Sequence, residues 1–334
     1  MPLNVNFYPD RVSITPRRVV NPDDDFIKSL WTNENSLANL RIAGNPFIIS
    51  DSGKRRIRDR INSMYLLAIP RTVKSLSGKL IYNFRCSFIT LTLPSSQQHT
   101  DKEIKELALN QLLVELRKHY GLNNYVWKAE LQKNENIHFH LICDIFIQYQ
   151  ALRKRWNRIL DKLGYIEPFT LRMSSMSFEE YFENGRKYNH ELRRTTALDR
   201  YKKGMKEGWS NPNSVDTRAI KTSRDVAIYM TKYMTKQPTE LANDEELLER
   251  GKSFGRAWFC SRSLSRLQTY HRMSLSQAQA LIDFVYKGKN TKEFVGDFFR
   301  VIYFRISELG KQFEAWLRGW FFHNAYVSNY IYPT

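Results

Sequence analysis

The chain has 334 residues, of which 42% are hydrophobic and 13% aromatic, enough to bury the cores of two or three domains and too apolar for global disorder. Its 52 basic residues against 34 acidic ones leave a formal charge of +18, a field that attracts a polyanion. Nucleic acid is the expected partner rather than an anionic membrane surface, because aromatics are interleaved with the basic residues and no basic amphipathic helix stands apart as an anchor.

Cys86, Cys143 and Cys260 lie far apart without a CxxC pair, which argues against a disulfide framework or a cysteine zinc site and fits a reducing cytoplasm. The segment from Met1 to Val5 lacks the pattern of a signal peptide, and the apolar run from Phe298 to Phe304 is interrupted by Arg300, so no membrane span is expected. Residues 1–80 read as a basic extension whose run from Lys54 to Arg60 falls on a helix over 51–67 and either contacts DNA or forms a solvated face.

Residues 81–240 read as a single α+β domain. A strand from Phe84 to Leu93 is closed by Pro94, and a helix from Asp101 to Tyr120 carries Ile104, Leu107, Ala108, Leu112 and Leu116 on one stripe before Gly121. Strands from Tyr125 to Gln132 and from Ile137 to Ile147 follow, then a helix from Tyr149 to Leu163 that stops at Gly164. This order predicts a central antiparallel sheet with helices on one face, a ferredoxin-like or RRM-like arrangement. Residues 170–225 read as a polar insertion or long loop with limited helix, and a helical pattern returns from Arg224 to Lys236. An acidic helix from Asn243 to Arg250 and an aromatic, basic region then complete a C-terminal segment, 241–334. Its stretch from Trp316 to Tyr332 suits docking, self-association or DNA contact.

Two motifs carry chemistry. In His138-Phe139-His140, strand alternation puts both imidazoles on one face and Phe139 with Leu141 on the other. With a three-residue loop from Asn134 to Asn136, Lys133 pairs with Ile137, Gln132 faces His138 and Glu130 faces His140. Glu130 then joins the histidines in a mixed nitrogen and oxygen site suited to Mg²⁺ or Mn²⁺ and capable of holding Zn²⁺, while Trp127, Ala129 and Leu131 complete the opposite, core face. The second motif runs from Tyr229 to Lys236, with Val226, Met230 and Met234 as its buried stripe. Helical spacing of four stacks Tyr229 and Tyr233 one turn apart with Lys232 and Lys236 beside them. Tyrosines so spaced also pack together for structural reasons. As nucleophiles, phenols need a neighbouring cation, which the lysines supply. A metal site and paired tyrosines on a basic chain are the parts of a phosphodiester transesterase.

The motifs stand in the order found in the HUH endonuclease superfamily, and the chain resembles its two-tyrosine replication initiators from small phages and rolling-circle plasmids. Phe88 to Leu93 is similar to the first-motif strand, Ile137 to Leu141 to the histidine motif, and Tyr229 to Lys236 to the tyrosine motif, over roughly 84–240. A weaker echo lies in Gly255 to Trp258 and Ser261 to Ser263. The resemblance implies His138, His140 and Glu130 as metal ligands, Tyr229 and Tyr233 as alternating nucleophiles forming a 5′-phosphotyrosine, and Lys232 and Lys236 as catalytic helpers. Tyr229, the upstream tyrosine, is favoured as the first to act. Single-stranded origin DNA is the implied substrate in a bacterial host. Since no GxxxxGK[ST] loop occurs, a host helicase and polymerase are implied partners. A relaxase or transposase of the same superfamily would share the chemistry. A non-catalytic single-stranded nucleic-acid binder would explain charge and aromatics but leave Glu130, His138 and His140 without a role.

Overall fold

The computed structural model describes residues 3–16, 47, 49–74, 80–132, 134–234, 250–251, 253–267, 270–286, 291–296, 299–304, 315–316 and 318–319. Lys133, Lys236, the acidic stretch from Asn243 to Glu249 and nearly all of the aromatic tail from Trp316 to Tyr332 therefore lie outside the described residues.

Strands β1 (Leu3–Tyr8) and β2 (Arg11–Pro16) open the chain as an antiparallel pair. Helix α1 (Asp51–Leu67) follows where the basic run was read. Ser50 caps it, its hydroxyl accepting from the Gly53 amide at 3.2 Å. Its Ile57, Ile61 and Met64, at helical spacing, are fully buried. The charged face is partly engaged: Arg11 grips the Asp59 carboxylate through two 2.9 Å hydrogen bonds, tying β2 to α1. Ile57→Ala should cost about 2–5 kcal/mol through the cavity it leaves, read as a lower urea midpoint.

A short pair, β3 (Arg71–Lys74) and β4 (Leu80–Phe84), leads into β5 (Cys86–Leu91). Helix α2 (Asn110–Tyr120) is entered through one α turn, Asp101–Glu103, and a π-helical stretch, Ile104–Leu109. Thr100 and Glu103 form a reciprocal capping box at its start, and Gly121, at φ 68°, ends it in the left-handed region. The widened π turn shifts the phase of the stripe: Leu107 points to solvent, while Leu109 and Leu113 join Ile104, Ala108, Leu112 and Leu116 inside.

Strands β6 (Tyr125–Leu131) and β7 (Ile137–Cys143) form the expected hairpin, and α3 (Tyr149–Lys162) follows, with Gly164 just beyond it at φ 78°. The region expected to be a loop is instead largely helical: α4 (Ile166–Ser175), α5 (Phe178–Tyr188) and α6 (Arg194–Lys206). Helices α5 and α6 lack a long apolar stripe because they hold together, with Trp209, through an aromatic cluster of Phe178, Phe182, Tyr181 and Tyr201. The capping box of Ser177 and Glu180 was the legible signal for α5.

After the insert come strand β8 (Val215–Ile220), also inside the stretch expected to be loop, and helix α7 (Ser223–Tyr229), which passes into a π-helical stretch, Met230–Met234. Strand β9 (Trp258–Cys260) completes an antiparallel sheet of order β8-β5-β7-β6-β9. Finally β10 (Tyr270–Met273), β11 (Lys292–Gly296) and β12 (Phe299–Tyr303) join β1 and β2 in a second five-stranded sheet, β10-β1-β2-β12-β11, with helix α8 (Leu275–Tyr286) between β10 and β11 in the chain. Segments read as separate N- and C-terminal extensions thus hydrogen-bond to each other.

The fold is α+β, as expected. Helices α2 and α3 cover one face of the first sheet over Ile89, Leu91, Trp127, Ala129, Phe139 and Leu141. The opposite face is partly covered too, by α1 and by Val226 and Met234 of the tyrosine segment, which share a core with Phe88, Val126 and Ile142. Among the described residues, no helix is long and apolar enough to cross a membrane.

Candidate metal centre and tyrosine pair

The candidate metal-ligating residues sit on the partly open face of β6 and β7. Glu130 lies opposite His138, and Lys128, not Glu130, lies opposite His140. The loop keeps the expected three residues but sits one position earlier in the chain, with the Gln132 amide donating to the Asn136 carbonyl at 2.9 Å and Glu135 at φ 63°. The register therefore differs from the expected one by two residues in total, which preserves alternation, so Glu130, His138 and His140 still share a face. Their ligand atoms lie within 4.8 Å of one another.

The donors fit a divalent cation. Both ring nitrogens of His138 are buried without a hydrogen bond, Nε2 standing 3.6 Å from Glu130 Oε2, an arrangement that leaves room for a shared ligand. His140 Nε2 lies 3.1 Å from Glu130 Oε2, and its Nδ1 lies 3.2 Å from the Thr90 hydroxyl on β5. Thr90 accordingly holds the ring so that Nε2 faces the carboxylate. Burial alone would raise the Glu130 pKa, but the two imidazoles and the nearby Lys128 charge outweigh it and hold the carboxyl well below its usual range. Burial, aided by His138, pushes the His140 pKa down against the pull of Glu130, favouring the neutral imidazole that ligates metals. Thr90→Val, which keeps the shape and removes the hydroxyl, should weaken Mn²⁺ binding about 10- to 100-fold, as measured by titration of free Mn²⁺.

Phe88, two residues before Thr90, carries the tyrosines to this centre. Its ring stacks on Tyr229 at 4.7 Å, meets Tyr233 at 4.9 Å and lies 5.4 Å from His140. The tyrosine rings are 6.2 Å apart and nearly parallel, and Tyr233 also meets His140 directly at 4.9 Å. Lys232 Nζ lies 5.1 Å over the Tyr233 ring. Burial raises the Tyr229 pKa, with Arg218 opposing it.

Two cations near the site were missed by the sequence reading. Lys128, almost fully buried, donates from Nζ to the Tyr233 carbonyl at 3.0 Å, fastening the tyrosine segment to β6. Alternation already placed it on the face of Glu130, but nothing local indicated its partner. Arg218 on β8 pairs with Phe88 in register, bonds Asp216 at 3.0 Å and bears electrostatically on both tyrosines. Its strand had been read as loop. The structure thus brings together Glu130, His138, His140, Tyr229, Tyr233 and Lys232, while Lys236 lies outside the described residues.

Residues 86–238 match the family model described as replication-associated protein ORF2/G2P, a span running from β5 through the tyrosine segment that includes every side chain of the site. Searches of curated proteins and of solved structures find no match.

Proposed function

Starting from the family match, which supports a replication-initiator family, we propose that the chain starts rolling-circle replication by nicking and rejoining single-stranded origin DNA through a 5′-phosphotyrosine, as a two-tyrosine HUH endonuclease. The observation that carries the reading is the 4.9 Å approach of the Tyr233 ring to His140, a member of the metal triad. Mg²⁺ or Mn²⁺ held by Glu130, His138 and His140 would neutralise and orient the scissile phosphate. A tyrosine Oη attacks phosphorus as its proton passes to solvent, forming the O–P bond while the bond to the 3′-oxygen breaks, and that oxygen takes a proton from solvent to depart as a 3′-hydroxyl. Lys232 and Arg218 stabilise the phenolate and the developing phosphate charge. The phosphotyrosine retains the bond energy, so attack by a 3′-hydroxyl rejoins the strand without ATP. A second tyrosine within 6.2 Å suits transfer of the strand between two nucleophiles. Strand separation and synthesis fall to a host helicase and polymerase.

The test is a denaturing gel of the full chain with a labelled single-stranded pool of candidate origins, in Mn²⁺ or in chelator. A covalent adduct in wild type, absent in chelator and in the Tyr229→Phe/Tyr233→Phe double variant, is the expected result. Full DNA binding with no adduct on any sequence would sink the nickase in favour of a non-catalytic binder.

A further inference from the structure

The helical insert has no part in that chemistry, yet it walls a cleft of about 1210 Å³ beside it. Thr92 and Gln132 line the sheet side of this cleft. Each follows a residue of the metal centre, Thr90 or Glu130, by two positions, and the ladder continues through both. The Thr92 amide donates to the Ser214 carbonyl at 2.9 Å, and the Gln132 amide to the Asn136 carbonyl at the same distance. Alternation therefore puts them on the metal-bearing face, one step toward the end of the sheet. Thr92 and Gln132 thus join the cleft to the sheet that carries the candidate centre, whose Glu130, His138 and His140 do not themselves line it.

Its other walls offer cations and aromatic rings together. From α3 come Tyr149, exposed, and Arg153, whose guanidinium lies 5.0 Å from the Tyr149 ring. Arg153 Nε is buried with no hydrogen-bond partner, so this donor lacks an acceptor. The insert supplies Tyr181, Trp209, and, three residues apart on α6, the exposed Arg200 and Lys203. Lys203 lies 3.8 Å from Glu207, a surface pair too exposed and too long to neutralise the wall.

Trp209 is held as a platform. It sits at φ 52°, a left-handed conformation that costs a non-glycine residue free energy. Its ring lies so close over Gly204 that a Cβ there would come within 2.3 Å, and Tyr181 and Tyr201 flank it at 5.6 and 5.9 Å. A partly exposed indole fixed at that cost, beside an unsatisfied arginine donor, suits stacking on an unpaired base while the guanidinium takes a phosphate oxygen. The cleft exceeds the roughly 300–1,000 Å³ of small-molecule pockets, as a polymer requires. Duplex DNA keeps its base faces covered and cannot use the rings.

We infer that this cleft holds the single-stranded DNA flanking the scissile phosphate, with Arg153 and Arg200 on the backbone and Tyr149, Tyr181 and Trp209 on the bases. The inference rests on the nickase reading for its substrate, but binding can be measured without cleavage. Fluorescence anisotropy of a short, labelled, random-sequence single-stranded DNA would be followed with the full chain in chelator. Arg153→Gln/Arg200→Gln should weaken binding about tenfold, and Gly204→Ala, which displaces the Trp209 ring, at least about fivefold. Arg186→Gln/Lys187→Gln, which removes equal charge from exposed residues outside the cleft, should change affinity less than about twofold. Equal loss in both double variants would reduce the effect to net charge and overturn the cleft. Photo-crosslinking to iododeoxyuridine-substituted DNA guards against misfolded variants: crosslinked peptides should contain Tyr181 or Trp209, and crosslinks confined to other regions would overturn the assignment. If wild type forms no covalent adduct in Mn²⁺ while these results hold, the nickase fails and the single-strand cleft stands.

Discussion

Tyr233→Phe should abolish most of the first covalent adduct, by on the order of 10³-fold or more, whereas Tyr229→Phe should leave a substantial initial adduct and fail in the second transfer. Three observations set this order. The Tyr233 ring meets His140 at 4.9 Å, Lys232 Nζ stands 5.1 Å over it, and Lys128 anchors its carbonyl at 3.0 Å. Tyr229 packs on Phe88, and burial raises its pKa, making its phenolate harder to form. Upstream position alone favoured Tyr229; proximity to the metal triad favours Tyr233. Single-turnover assays with each variant decide the matter, and a larger loss in Tyr229→Phe would reverse the proposed order.

Removal of a metal ligand should be comparably severe. Glu130→Gln, His138→Ala and His140→Ala should each slow adduct formation by about 10³-fold, because in the proposed mechanism several kcal/mol of transition-state stabilisation would come from the cation. Mn²⁺ titration should show weakened binding in all three, with the variants still folded by circular dichroism. The pH dependence has a defined sign. A depressed Glu130 pKa keeps the carboxylate charged, and a depressed His140 pKa keeps that imidazole neutral at pH 7, so protons compete little there. Mn²⁺ affinity should stay nearly level from about pH 8 to 7 and fall only once the pH drops below the ordinary histidine range. Normal adduct yield in chelator, or in His140→Ala, would remove the metal from the reaction.

Lys128 shows why part of the site was illegible. A lysine in a strand reads as a solvated residue, and only the docking of the tyrosine segment turns it into a buried clamp. The insert hid its helices for a related reason: aromatic contacts among Phe178, Tyr201 and Trp209 replace the periodic apolar stripe by which a helix is recognised.

What the sequence by itself determined is the content of each face. With a side-chain period of two, Glu130, His138 and His140 shared one side and Trp127, Ala129 and Phe139 the other, and a register change of two residues could not alter that. The helix stops at Gly121 and Gly164 were equally local, because a left-handed residue ends a helix wherever it stands. The tertiary structure alone decided that Phe88 would lie between the metal strand and the tyrosines, that β8 would join β5, and that strands from both ends of the chain would share a sheet. Those pairings join residues far apart in sequence, where loop closure and packing of whole surfaces select the partner and local periodicity carries no record of it.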